Sequence, residues 1–212
     1  MDSRMTPDSI LFDFDGVIVD SMHIRDFGYR EIVKEFAPDL VDQLVLYHRN
    51  NAGLSRYVKI RYFYENLLGK EISVEKVNEL AEKFSLIMKA KLTDPSIIIE
   101  EAILFIKKYY TKLPLHIVSG SDQDELRYIC QCINIDSYFL TIEGSPTSKN
   151  DLVSGIISSY KYNPHNTILI GDSINDYDAA KANGLIFYAY NNDELRKSCN
   201  IYLDSFDGIF FN

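Results

Sequence analysis

The sequence predicts an α/β fold, a doubly wound and mostly parallel sheet whose chain is interrupted after the first strand by a block of helices. Three observations predict it. Short apolar runs alternate with segments of helical periodicity from about residue 98 onward. The first run, Ser9-Ile10-Leu11-Phe12-Asp13-Phe14, stands alone at the start of the chain. Between the two lies a stretch of helical spacing with no strand signal. Alternating strands and helices imply βαβ units and a sheet covered on both faces.

The elements follow in order. Ser9-Ile10-Leu11-Phe12-Asp13-Phe14 reads as a buried strand with carboxylates at its far end. From about residue 22 to 90, apolar residues recur at three and four, as in Ile32, Val33, Phe36 and in Val77, Leu80, Ala81, Phe84, Ile87, Met88. That spacing predicts several helices packed together, with turns at residues 50–56 and 68–70. Residues 98–110 form the next helix, and Leu115-His116-Ile117-Val118 a strand ending at Ser119-Gly120. A helix through Glu125, Leu126, Ile129 and Ile133 precedes a short strand at 139–142 and a helix at 149–160. Then come the strand Thr167-Ile168-Leu169-Ile170, the turn Gly171-Asp172-Ser173, a helix through Ala179, Ala180 and Ala182, and strands at 185–188 and 201–203. The domain reading is a Rossmann-like α/β core of residues 1–20 and 92–212 with a helical insertion at 21–91.

Composition sets outer bounds. The 212 residues suffice for one α/β domain plus a modest insertion, and 46% hydrophobic with 25% charged content is ordinary for a globular protein. A net charge of −9 without a basic stripe argues against nucleic acid. No apolar run approaches the roughly 20 residues that cross a bilayer. The first residues are polar and lack the apolar core of a signal peptide, so the expectation is a cytoplasmic protein without membrane contact, monomeric or dimeric. Cys130, Cys132 and Cys199 have no zinc spacing and read as reduced core thiols.

In open parallel sheets, ligands bind beyond the carboxyl ends of the strands. Those ends present Asp13 and Asp15, then Ser119, Gly120 and Ser121, then Asp172 with Asp176 four residues on. Lys149 opens the helix after the short middle strand. A carboxylate at a strand end often only caps the next helix, which is one reading of Asp172. Asp13 lies within an apolar run, where a lone carboxylate costs several kcal/mol unless paired or metal-bound. Clustered carboxylates call for a cation, and all-oxygen ligands favour magnesium over zinc. Gly16 permits a turn that brings Asp15 beside Asp13. Ser119 and Lys149 have the character to hold phosphoryl oxygens.

These segments resemble the haloacid dehalogenase-like hydrolase superfamily over nearly the whole chain. Asp13-Phe14-Asp15-Gly16-Val17-Ile18-Val19-Asp20-Ser21 resembles its first motif and Val118-Ser119-Gly120-Ser121 its second. Lys149 resembles the third, and Gly171-Asp172-Ser173-Ile174-Asn175-Asp176 the fourth. The inserted helices match the family's helical cap, which places the chain near the phosphoglycolate phosphatase and β-phosphoglucomutase-like branch. The resemblance implies a magnesium-dependent phosphatase acting on a small phosphomonoester, a sugar phosphate or a phosphoglycolate-like ester. Asp13 would be the nucleophile and Asp15 the general acid and base. Asp13, the Asp15 carbonyl, Asp172 and Asp176 would form the metal site. Ser119 and Lys149 would bind the transferring group. The family's dehalogenases lack the second Asp, so Asp15 points to phosphoryl chemistry.

Within Asn51-Ala52-Gly53-Leu54-Ser55-Arg56, which resembles the cap loop that reads the substrate, Ser55 and Arg56 are candidate contacts, with Gly120 facing them. Arg25 and Lys59 are further candidates, although a solvated helix position is the commoner fate of such residues. Ser21 is read as part of the hinge, and His48, near the cap loop, either as facing the site or as structural. The mutases of the branch carry an acidic residue and a Lys where this chain has Gly171 and Asp122, which turns the expectation from a mutase towards a phosphatase. A receiver-like phospho-switch lacks the helical insertion, and a silent relative would not retain every expected catalytic side chain.

Overall fold

The computed structural model describes residues 6–199 and 201–209. Among the described residues, six strands form one parallel sheet: β1 (Ser9–Phe12), β2 (Leu115–Asp122), β3 (Thr141–Ser145), β4 (Thr167–Gly171), β5 (Ile186–Tyr190) and β6 (Tyr202–Leu203), in the order β3-β2-β1-β4-β5-β6. The chain order reverses between β1 and β4, and a crevice opens at the carboxyl end of such a switch. Phe12 is in register with both Ile117 and Ile170, so the segments after β1, β2 and β4 share one edge.

Both faces of the sheet are dry, which explains runs without polar alternation. Ile10, Phe12, Ile117, Ile168 and Ile170 point into one core with Phe105, Ile106, Leu126 and Ile129. Leu11, Val118 and Leu169 point into the other with Val153, Ile156, Ala179 and Ala180. The covering helices are α5 (Glu100–Tyr109) and α6 (Gln123–Cys132) on the first face, and α7 (Lys149–Tyr160) and α8 (Ile174–Asn183) on the second.

Between β1 and α5 the chain forms α1 (Met22–Ile32), α2 (Pro38–Asn50), α3 (Arg56–Tyr62) with a π turn at Phe63–Leu67, and α4 (Val74–Lys91). Tyr29, Leu44, Ile60, Phe63, Leu80 and Phe84 bury the apolar stripes of these helices against one another. Gly28 lets α1 touch α4, since a Cβ there would lie 2.5 Å from Met88 Cε. The chain leaves and re-enters the α/β part side by side: Asp20 N–H donates to Ile97 O (2.8 Å) and Ile99 N–H to Ile18 O (2.9 Å). Among the described residues, no helix is long and apolar enough to cross a membrane.

The structure moves three boundaries. β2 runs on to Asp122, and β3 and β5 start later than their hydrophobic runs, because hydrogen-bonded register and not hydropathy ends a strand. Of the thiols, which are all free, only Cys130 is fully buried; Cys132 and Cys199 are half-buried.

Candidate active site

Asp13 follows directly on the last residue of β1 and is held there by the sheet, its N–H donating to Ile170 O at 2.9 Å. One of its carboxylate oxygens accepts the Phe14 N–H (2.8 Å), and the side chain is 3% exposed as a residue. Gly16, at φ +76°, turns the chain, and a Cβ at that position would lie 2.0 Å from Asp172 Oδ2. The absent side chain is what lets Asp172 lean over the first motif. Gly16→Ala is therefore expected to push Asp172 aside and strain the backbone, lowering the melting temperature by several degrees and turnover by at least about tenfold. Unchanged turnover in that variant would show that Asp172 has no part in the site.

Asp13, Asp172 and Asp176 bring carboxylate oxygens within 4.8 Å of one another, all buried. Lys149, the first residue of α7, inserts its ammonium among them: Nζ lies 2.8 Å from Asp13 Oδ1 and also pairs with Asp176. Asp176 accepts the N–H and hydroxyl of Ser173 through its other oxygen, the reciprocal cap of α8. Asp172 is therefore not the helix cap. Its Oδ1 is buried with no hydrogen-bond partner, an expensive state for a carboxylate oxygen. Burial, aided by Asp176, pushes the Asp13 carboxyl up to about 7 despite Lys149. Burial together with Asp13 and Asp176 raises the Asp172 carboxyl well above its ordinary value. An orphaned oxygen in an all-oxygen cluster of mutually repelling carboxylates fits a divalent cation such as magnesium.

Asp15 is treated differently. Its Oδ1 accepts from the Ser21 hydroxyl and from Arg25 Nε (2.9 Å), and its Oδ2 accepts from the Ser121 hydroxyl (2.7 Å). Burial would raise its carboxyl, but Arg25 and the two hydroxyls outweigh burial and hold it below the usual range. Ser119 Oγ accepts the Ser121 N–H at 3.1 Å, which places both serines at the same strand end.

Arg25 and Lys59 are not solvated helix residues. Arg25 bridges Asp15 and Glu125, and Lys59 is sunk between His48 Nδ1 (3.1 Å) and Ala52 O (3.0 Å). Arg56 donates to Glu125 (2.6 Å) and Ser85 (2.6 Å) and lies against the Phe84 ring. These cations line a cavity of about 20 Å³ beside Asp15, which has room for about one water. Gly120 and Gly53 let the two parts of the chain meet closely: a Cβ on Gly120 would lie 2.5 Å from Gly53 O, and one on Gly53 2.7 Å from Asn175 Cβ. Ser55 stays outside this cavity. It caps α3 and lines a separate crevice of about 350 Å³ with Gly53, Gly120 and Lys149.

Ser21 and Glu125 are not assigned to the site by the sequence, and Ser121 is placed at the strand end without a role. Ser21 belongs to the segment read as a hinge, yet its hydroxyl holds Asp15. Ser121 sits two residues beyond Ser119, a spacing that returns a side chain to the same face of a strand and was the available signal. Glu125 gave none, lying in a helix recognised only by its apolar stripe.

The model of the haloacid dehalogenase-like hydrolase family matches residues 10–190, most of the chain and every element of this site. The chain belongs to that family. It is thus an enzyme of a hydrolase family, and the fold recurs in solved relatives. β-Phosphoglucomutase from Clostridium difficile is 17% identical, with 97% of this chain and 94% of that chain covered at a TM-score of 0.80. CbbY from Rhodobacter sphaeroides, solved in complex with xylulose-(1,5)bisphosphate, is 14% identical over 95% and 96% with a TM-score of 0.77. A predicted phosphoglycolate phosphatase from Haemophilus somnus is 15% identical over 96% of each chain with a TM-score of 0.71. No curated protein matches the chain.

Proposed function

We propose that this hydrolase is a magnesium-dependent phosphatase that cleaves a small phosphomonoester through an aspartyl-phosphate on Asp13. The observation that carries the reading is the buried cluster of Asp13, Asp172 and Asp176 around Lys149, with an Asp172 oxygen left without a partner. Solved relatives of the same fold include a phosphoglucomutase and a protein bound to a sugar bisphosphate, which supports phosphate esters as the substrate class.

The Asp13 carboxylate forms the new O–P bond as the ester's P–O bond breaks, and Asp15 hands a proton to the departing oxygen. Asp15, left as the carboxylate that Arg25 favours, then accepts a proton from the water that attacks the acyl phosphate, which frees phosphate, restores the Asp13 carboxylate and returns Asp15 to the acid form in which it began. Lys149 and Ser119 hold the non-bridging oxygens as charge moves onto them. Magnesium held by Asp13 and Asp172, with Asp176 and the Asp15 carbonyl beside them, would neutralise charge on the phosphoryl group. The chamber beside Asp15, of about 20 Å³, is too small for the leaving group of such an ester, so the helices α1–α4 that wall it would have to lift as a cap to admit one there.

Hydrolysis is favoured over a mutase by two positions. A Cβ on Gly171 would lie 2.4 Å from Asp176 Cβ, which leaves no space for an acidic side chain. Asp122 is committed to the N-terminus of α6 and to the Tyr57 hydroxyl (2.8 Å). A panel of phosphomonoesters incubated with magnesium or with EDTA is expected to show metal-dependent phosphate release without an isomerised product. An isomerised sugar phosphate, or release unaffected by EDTA, would overturn the reading.

The metal site also has a pH signature that does not depend on turnover. Folding raises Asp13 from its ordinary 3.8 to about 7, so the folded chain holds a proton that the unfolded chain has lost. Without metal, that group's contribution to stability is full below its unfolded value and is lost as pH rises towards 7. A cation requires the unprotonated carboxylates, so magnesium should raise the melting temperature more at about pH 8 than at about pH 5. Equal shifts at both values would remove Asp13 and Asp172 from the metal site.

A further inference from the structure

Glu125, on α6 of the α/β part, is fully buried and holds two arginines from the inserted helices, Arg25 Nη1 at 2.7 Å and Arg56 Nη1 at 2.6 Å. Arg25 also donates to Asp15. Two guanidinium groups thus face two carboxylates before any ligand arrives. Each arginine keeps one buried nitrogen without a hydrogen-bond partner, Arg25 Nη2 and Arg56 Nε; His48 Nε2 has none either and lies 3.8 Å from Asp26 Oδ1. All three residues line the cavity beside Asp15, where the leaving group of an ester on Asp13 would lie.

A carboxylate or second phosphate in this chamber would add a negative charge beside Glu125 and beside the carboxylate that Asp15 becomes as it hands its proton to the leaving oxygen, in surroundings where charges are weakly screened. A hydroxyl oxygen adds none, and it can accept the N–H groups that are left over. Lys59 does little to offset this. Burial lowers its ammonium to about 7, so near neutral pH it gives up much of its charge.

We propose that Glu125 is a specificity-determining residue, which makes this enzyme prefer esters of uncharged, hydroxyl-bearing alcohols over esters whose leaving group carries a carboxylate or second phosphate. The proposal rests on the phosphatase reading and narrows its substrate class from sugar-like or carboxylated esters to the polyol side.

The test compares glycerol 3-phosphate with 3-phosphoglycerate, which differ at the far end of the leaving group by a hydroxymethyl or a carboxylate. The full chain is assayed with magnesium. The wild type is expected to favour glycerol 3-phosphate in kcat/KM by at least about tenfold, and Glu125→Gln to shrink that ratio by about tenfold. Loosening of Arg25 on Asp15 would slow both esters alike, so the ratio isolates the charge. The double variant Arg56→Gln with Glu125→Gln removes one charge of each sign and is expected to return the ratio towards wild type. It also serves where the single variant does not fold, because the buried charges are again matched. A wild-type preference for 3-phosphoglycerate, or a ratio unmoved in folded Glu125→Gln, overturns the proposal while the phosphatase reading stands. Release of phosphate from no monoester overturns both.

Discussion

Replacing Asp13 with Asn is expected to abolish turnover, by about 10⁴-fold or more, while leaving the protein folded. The amide matches the carboxylate in shape and removes only its charge and its nucleophilic oxygen. The fold should tolerate this because Asp13 is a carboxylate that the structure holds at a cost: burial and Asp176 already push it up to about 7. Loss of the Lys149 pairing is offset by relief of repulsion from Asp172 and Asp176. The melting temperature in EDTA should therefore change little, and the acid-quenched phosphoprotein seen with wild type should be missing. Metal-dependent turnover in this variant, with deamidation excluded by mass spectrometry, would transfer the nucleophile's role elsewhere.

Lys149→Met should damage stability and activity together, and the two can be separated by metal. Burial opposes the Lys149 charge, yet Asp13 and Asp176 outweigh it and hold the ammonium above its usual range. Removing it leaves three buried carboxylates facing one another. Breaking one partner out of a buried charged set costs about 3–5 kcal/mol, so the metal-free variant should melt well below wild type. Saturating magnesium should recover a large part of that loss, because a cation at about a hundred times its dissociation constant stabilises by about 2.7 kcal/mol. Turnover should not recover with it: the missing contact to the transferring group is worth about 10²–10³-fold. Full rescue of turnover by magnesium would make Lys149 a structural counter-ion and nothing more.

The carboxylates of the site were legible in the sequence because their positions are local facts. Asp13 ends an apolar run, Asp172 ends another, and parallel strands bring such ends to one edge whatever the rest of the chain does. Lys149 was legible in the same way, as the first residue of a helix that follows a strand. The surroundings of Asp15 were not. Arg25 and Lys59 have the spacing of solvated helix residues, and helical periodicity says which residues share a face but not what that face meets. Glu125 was invisible for a related reason. Leu126 and Ile129 mark its helix as amphipathic, while its own burial depends on Arg25, 100 residues away, and Arg56, 69 residues away.

The sequence by itself determined the kind and order of the elements, the insertion after β1, and the acidic and basic groups at the strand ends. Each follows from residue spacing and from rules that act over a few residues. Only the tertiary structure decided which charges are paired: Asp15 with Arg25, Glu125 with two arginines, and Asp172 left with a free oxygen. The physical reason is that the energy of a buried charge is set almost entirely by its partner. That partner is chosen by packing between distant parts of the chain.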